Sequence, residues 1–337
     1  MMKLQAVKKL IENKNIFITG GGGFIGTSIA EILADSNHII LYDLNFHRNA
    51  YNFSKLVGHP NVTLVEGDIM DGEKLRRTTE GVDMVIHLAA IVGVQNVIQN
   101  TIKTLNINVQ GTALLLSTVS LLPLERFIFL STSEVFGIDA YQVSENANST
   151  FGPVDEARWC YAISKVTGEH LVQSYHREHD LPTVIIRPFN IFGPKRIGDH
   201  AILRFIYWAL HHKPIIVHDN GEAIRSWCYI DDFCDAVIRC LEKPEAIGHS
   251  FNIGNSRNTL TMYELAKRVI QLCDSNSTIQ FRSINYSDVR VRVPNTLGAH
   301  MSLDYTPKIE IEEGILKSKA WYEEHFSQID ISYMQEE

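Results

Sequence analysis

Apolar residues in this chain follow two periods. Runs at 15–19, 38–42, 62–65, 84–90, 126–130 and 183–188 are nearly continuous, rich in Ile, Val and Phe, and too short for helices. Between them apolar positions recur every three to four residues, as in 27–34, 106–122 and 161–179, so that a helix would present one apolar face. Strands apolar on both sides, alternating with helices, specify a parallel sheet covered on both faces. The pattern predicts an α/β fold with a Rossmann-type doubly wound parallel sheet.

The first run leads straight into Gly20-Gly21-Gly22-Gly23-Phe24-Ile25-Gly26 and then into a helical stretch. Gly20, Gly23 and Gly26 have the GxxGxxG spacing. One serves a tight turn, one the close approach of a pyrophosphate, and one the packing of helix on strand, with the anion at the helix N-terminus. Phe24 and Ile25 belong to the same cradle. The second run ends in Asp43, about twenty residues on, where a carboxylate accepts from the adenosine ribose hydroxyls and repels a 2′-phosphate. NAD is therefore expected over NADP, a preference that His47 and Arg48 temper. Ligands bind beyond the carboxyl ends of such strands, which places Asp68 and Ile69 at the adenine and Leu88, Ala89 and Ala90 against the cofactor. His87, inside an apolar run, reads as a hydrogen-bonded core histidine.

After residue 188 the chain turns richer in aromatics, Arg and His. Residues 1–188 are expected to form the NAD-binding domain and 189–337 mainly a smaller substrate domain. That second domain is discontinuous, because segments near 229–255 return to the sheet. On the 161–179 helix, Tyr161 and Lys165 lie one turn apart on one face, so the ammonium can sit beside the phenol. Free tyrosine titrates near pH ~10, and a cation that holds it ionised at neutral pH supplies about 4 kcal/mol. Such a phenolate can take a proton from a sugar hydroxyl while hydride leaves the same carbon.

A formal net charge of -8 gives no footprint for nucleic acid or an anionic membrane, so an anionic ligand needs a local Arg cluster. Five Cys, none in CxxC spacing, read as reduced thiols in the cytoplasm. The six-residue spacing of Cys228, Cys234 and Cys240 suits neither zinc nor one helix face, and no metal site is expected. No run approaches ~18 apolar residues, so no membrane span is expected. Residues 1–15 read as a short amphipathic leader rather than a signal peptide, and residues 330–337 as a frayed polar tail.

Further motifs follow in order: His87-Leu88-Ala89-Ala90, Asn108-Val109-Gln110-Gly111-Thr112, Ser131-Thr132-Ser133-Glu134-Val135-Phe136-Gly137, Tyr161-xxx-Lys165, Arg187-Pro188-Phe189-Asn190-Ile191-Phe192-Gly193-Pro194 and Asp231-Asp232. With the glycine turn, they make the chain resemble the extended short-chain dehydrogenase/reductases that modify nucleotide sugars, the epimerase/dehydratase group, over nearly its whole length. The resemblance implies that Tyr161 is the base, and that Lys165 lowers its pKa and holds the nicotinamide ribose. It also implies that a hydroxyl from Ser131 to Ser133, Thr132 foremost, polarises the reacting C4 oxygen, and that Asn108 belongs to the cofactor site. Asn190, Arg225 and Arg292 would contact the diphosphate or sugar of a nucleotide sugar, expected to be UDP-linked, and Arg suits phosphate by its rigid fork. Lys195 and Arg196 either line the sugar cleft or lie on a solvated loop.

Most 4-epimerases of the group lack an acid at the position of Glu134, so this residue points to chemistry beyond the hydride step. The segments 152–161 and 288–300 resemble the corresponding stretches of UDP-glucuronate decarboxylases. In that reaction NAD takes hydride from C4, carbon dioxide leaves C5 because the new ketone accepts the electrons, and hydride returns to C4. The alternatives are a 4,6-dehydratase in which Glu134 takes the C5 proton, a 4-epimerase, a simple alcohol dehydrogenase that consumes cofactor, and a non-catalytic NAD-binding sensor. The helices 106–122 and 161–179 carry more apolar residues than one buried stripe needs, and family members commonly pair these helices, so a homodimer is expected.

Overall fold

The computed structural model describes residues 11–331 apart from 48, 285 and 287. Most of the expected leader and tail lie outside the described residues, as does Arg48. Seven strands form one parallel sheet in the order Ser250–Ile253, Thr183–Pro188, Arg126–Leu130, Met84–His87, Asn15–Thr19, His38–Asp43, Val62–Glu66. Successive side chains alternate between its faces. Ile16 and Ile18 join one core with the helices Phe24–Leu33 and Ile230–Glu242, whereas Phe17 joins another with Leu115 and Val172. Central strands buried on both sides explain the unbroken apolar runs. The chain runs outward from Asn15–Thr19 to Val62–Glu66 and then returns to Met84–His87, so the direction of winding reverses beside Asn15–Thr19. That reversal opens a crevice beyond the strand ends.

The structure departs from the sequence expectation in several places. The run 84–90 leaves the sheet after His87, because the amides of Leu88 and Ala89 both donate to the Thr19 Oγ1, each at 3.2 Å. The first helix begins at Phe24, three residues earlier than its apolar period shows. The 106–122 helix starts at Thr101, ends at Val119 and has a π turn over Asn106–Gly111. A strand that the apolar pattern does not mark, Asp139–Val143, pairs with Val291–Pro294 in a four-stranded sheet with Ile224–Ser226 and Thr259–Thr261. The signal is weak there because, of its five residues, Ala140 alone is buried. Among the described residues, no helix is long and apolar enough to cross a membrane.

One buried ion pair joins the elements beneath the crevice. Arg187, at the end of Thr183–Pro188, donates through Nε and Nη2 to Glu169 at 2.8 and 2.6 Å and through Nη1 to the Glu145 carbonyl at 2.7 Å. Ser131 also donates to Glu169, at 2.5 Å, so its hydroxyl is engaged below the cleft. Removing the Glu169 charge leaves the largely buried Arg187 guanidinium without a counter-charge. Glu169→Gln is expected to cost about 3 kcal/mol in unfolding free energy, read from the urea midpoint; a loss below about 1 kcal/mol would show that the pair does not tie these elements together.

Candidate active site

The crevice is a cleft of about 1680 Å³ with two chemically distinct ends. At one end the glycine turn meets the sheet. A Cβ on Gly20, whose φ is +67°, would stand 2.9 Å from the Ala89 amide nitrogen, and one on Gly26 would stand 2.7 Å from the Gly20 carbonyl. A Cβ on Gly23 meets nothing nearer than 3.3 Å. Gly20 and Gly26 thus let backbone pack on backbone, while Gly23 leaves the N-terminus of Phe24–Leu33 open. No side chain caps that helix, so the amides of its first turn are available to an anion. Asp43 accepts from the Gly22 amide at 2.9 Å with Oδ2, and it lines the cleft with Phe24, Ile25, Asp68, Ile69, Leu88, Ala89 and Ala90. Burial raises its carboxyl pKa more than the amides of Gly22, Leu44 and Asn45 lower it. A cradle that side chains would close, an uncapped helix start and a carboxylate at the second strand's end together fit a dinucleotide with free ribose hydroxyls.

At the other end charged groups gather around Tyr161. Thr132, Ser133 and Glu134 follow the strand Arg126–Leu130, and Tyr161 lies in the first turn of Cys160–His179. The Thr132 side chain lies near enough to the Tyr161 phenol to lower its pKa, and its Oγ1 accepts from the Glu134 amide at 3.2 Å. Glu134 sits in a fork–fork pair with Arg158, accepting from Nη1 at 2.7 Å and from Nη2 at 3.1 Å. Asp288 accepts from Arg158 at 3.4 Å and from Arg225 at 3.1 Å. Arg292 donates from Nη1 to the Ser133 Oγ at 3.2 Å, and its buried Nε has no partner. Among the described residues Arg292 has no carboxylate within ion-pair distance, although it is only 4 % exposed. Three arginines therefore face two carboxylates here, which leaves one positive charge in surplus.

These neighbours set the protonation states. Burial pushes the Glu134 carboxyl up, but Arg158 and Arg292 outweigh it and hold the group below its ordinary range. Burial pushes the Tyr161 phenol well above its ordinary value; Glu134 adds to this, while Thr132, Arg292 and Arg158 oppose it. Lys165 is not among the leading groups acting on that phenol. Its ammonium donates to the Leu130 carbonyl at 2.7 Å, lies 4.8 Å from the Phe129 ring centroid, and is brought down to about 7 by burial. The ammonium of Lys165 is therefore engaged on the Leu130 carbonyl.

The structure brings Gly20, Gly23, Phe24, Ile25, Gly26, Asp43, Asp68, Ile69, Leu88, Ala89, Ala90, Thr132, Ser133, Glu134, Tyr161, Asn190, Arg225 and Arg292 to one cleft. Lys165 and Asn108 lie buried outside its lining. Asn108, in the π turn, accepts from the Ile91 amide at 2.8 Å and donates to Ser164 at 3.1 Å, so it positions the loop after Met84–His87. Asn190, at a left-handed φ of 42°, donates to the Ser226 carbonyl at 2.8 Å. Lys195 pairs with Glu31, whereas Arg196 lines the cleft. His87 hydrogen-bonds Thr19 at 2.7 Å and Thr112 at 3.0 Å, as a core histidine does. Sequence reasoning missed Arg158 and Asp288 as site residues. The signal for Arg158 was its place three residues before Tyr161, together with the need of Glu134 for a cation.

Comparison with known proteins places this cleft among relatives. The profile of the NAD dependent epimerase/dehydratase family matches residues 16–254. The chain is 34% identical over 271 residues to a dTDP-D-glucose 4,6-dehydratase of Dictyostelium discoideum, covering 77% of this chain and 62% of that protein. It is 31% identical over 321 residues to a UDP-N-acetyl-alpha-D-glucosaminuronate decarboxylase of Bacillus cytotoxicus, covering 92% of this chain and 98% of that protein. A UDP-glucuronic acid 4-epimerase of Bacillus cereus, solved with UDP-glucuronic acid and NAD, superposes with a TM-score of 0.84 at 26% identity, covering 92% of this chain and 99% of that one.

The buried ammonium of Lys165 has a consequence for stability. Its pKa falls from an ordinary 10.5 to about 7 on folding, so across that window the unfolded chain binds a proton that the folded one lacks, and the contribution to stability rises with pH. The buried thiols of Cys228, Cys234 and Cys240, pushed up by burial, act in the opposite sense above their ordinary value of 9.0. Comparison with Lys165→Met cancels those thiols. In the cofactor-free protein, unfolding free energy is expected to shift in favour of wild type over Lys165→Met as pH rises from about 7 to about 9. A difference that stays constant with pH would mean that the ammonium is not desolvated.

Proposed function

Because the chain belongs to the NAD dependent epimerase/dehydratase family, we propose that it oxidises C4 of a UDP-linked uronic acid, releases carbon dioxide from C5 and leaves its cofactor unchanged overall. The observation that carries this reading is Arg292, a buried cation without a carboxylate partner among the described residues, in the same charged cluster as Tyr161 and Glu134. With the diphosphate assigned to Arg225 and Asn190, the ring of a neutral hexose gives that cation nothing to bind, whereas a C5 carboxylate does. Two of the three relatives described above have names that specify UDP-linked uronic acids, which supports the same substrate class.

Gly20, Gly23, Gly26 and Asp43 would hold NAD, and the chemistry supplied there would be reversible uptake of the C4 hydride. Tyr161 removes the proton of the C4 hydroxyl, and Thr132, whose side chain acts on that phenol, holds the C4 oxygen. The pKa of the unliganded phenol is high, so a neighbouring positive charge must assist it, and Lys165, buried beneath, supplies one when protonated. Once C4 is a ketone, the carboxylate at C5 is β to it. The bond to carbon dioxide breaks, its electron pair forms an enolate on the C4 oxygen held by Tyr161 and Thr132, and a proton then adds at C5. Arg292 orients the carboxylate, while Arg225 and Asn190 serve the diphosphate side. Dehydration would instead need a base for the C5 proton. Glu134, ionised and clamped in a fork by Arg158, is a weak one, and this ranks decarboxylation above dehydration.

We further infer a homodimer. Ile102 and Leu105 on one helix, Ile163 on Cys160–His179 and the adjacent Met70 are exposed apolar side chains, Ile102 at 76 %. Pairing across a two-fold axis would bury them. Five free thiols suit a cytoplasmic setting. Ile102→Asp is expected to convert the dimer into a monomer in sedimentation velocity; a wild-type protein that sediments as a monomer would rule out this pairing.

The reaction is tested by incubating the protein with UDP-glucuronate and catalytic NAD. The expected product, by mass spectrometry, has lost carbon dioxide, with no net accumulation of reduced cofactor. Tyr161→Phe is expected to lower kcat at least about a hundredfold while NAD still binds. Loss of water from UDP-glucose, or an unchanged mass with altered coupling constants, would assign dehydration or epimerisation instead.

A further inference from the structure

Arg292 keeps its surplus charge although a carboxylate stands within electrostatic reach. Glu134 acts on Arg292 and Arg292 on Glu134, yet Glu134 gives both oxygens to Arg158. Arg158 is in turn fixed from other sides. It is only 5 % exposed, its guanidinium lies 5.5 Å from the Trp159 ring centroid, and it donates to Asp288, which also binds Arg225. If Arg158 lost its charge, Glu134 would be a buried carboxylate without a partner and Arg292 would be the nearest remedy, since both are desolvated. The bidentate fork decides which cation Glu134 takes.

We propose that Arg158 is the specificity-determining positioning residue of the sugar site: by sequestering Glu134, it reserves Arg292 for the carboxylate of a uronate sugar. This rests on the uronate reading above and adds the device that keeps the anion subsite open. Without Arg158, Glu134 occupies Arg292 from within the protein and competes with the substrate's own carboxylate. A sugar that carries no charge at C5 makes no demand on Arg292 and is indifferent to this competition.

The test is equilibrium binding by calorimetry, with NAD present, in a Tyr161→Phe background so that ligand is not consumed. The probes are UDP-glucuronate and UDP-glucose. Arg158→Met is expected to weaken UDP-glucuronate binding at least about tenfold and UDP-glucose binding by no more than about twofold. Adding Glu134→Gln to Arg158→Met is expected to restore UDP-glucuronate affinity to within about threefold of the parent, because the internal competitor has lost its charge. A merely structural Arg158 gives equal losses for both ligands and no restoration by Glu134→Gln, and either result overturns the assignment. Should Arg158→Met fail to fold, Arg158→Lys, which keeps the charge but not the fork, is expected to show the same ligand-selective loss at smaller amplitude, again restored by Glu134→Gln; an unselective loss overturns the assignment equally. A parent protein that binds UDP-glucose as tightly as UDP-glucuronate overturns the uronate reading together with this one. A parent that prefers UDP-glucuronate, joined to an unselective Arg158 series, overturns this one alone.

Discussion

A buried charge must find an opposite charge, and at the Tyr161 end of the cleft that requirement is left partly unmet. Glu134 and Asp288 are each claimed by arginines, and Arg292 is the cation left over. Leaving a guanidinium desolvated and unpaired costs several kcal/mol. A guanidinium kept in that state beside a phenol and a hydroxyl makes an anion subsite. The surplus is local, since the whole chain carries a formal net charge of -8.

The rest of the fold serves to bring that subsite against the cofactor cradle. The parallel sheet sets Thr19, His87 and Leu130 at neighbouring strand ends, so the glycine turn, the 88–90 loop and the 131–134 hydroxyls converge. Beneath them Glu169 and Arg187 join the helix bearing Tyr161 to the strand that leads toward Asn190, and Asn108 pins the loop after His87. Opposite, the strands Ile224–Ser226 and Val291–Pro294 pair in register, Arg225 beside Arg292, so one small sheet presents both arginines to the cleft.

The large sheet was legible because its central strands are buried on both faces and appear as unbroken apolar runs. The small sheet was less so, since Asp139–Val143 contributes little to the core and its sequence resembles a loop. The glycine cradle and Asp43 could be read from spacing alone, because close backbone approach excludes other residues at Gly20 and Gly26. Roles that depend on a partner distant in sequence were harder to see. A Tyr and a Lys four residues apart lie on one helical face, but that spacing does not reveal that the ammonium of Lys165 donates to the Leu130 carbonyl. Ser131 belongs to the same run as Thr132 and Ser133, yet strand alternation sends it down to Glu169. Arg158 and Asp288 are separated by 130 positions, so that no local pattern announces their ion pair.

The account is tested most directly by following a label through one turnover. UDP-glucuronate carrying deuterium at C4, incubated with the protein and NAD, should give a UDP-pentose that retains the deuterium at C4 and takes its new hydrogen at C5 from solvent. A product that keeps its carboxylate, or a pentose from which the C4 deuterium has passed to solvent, would contradict it.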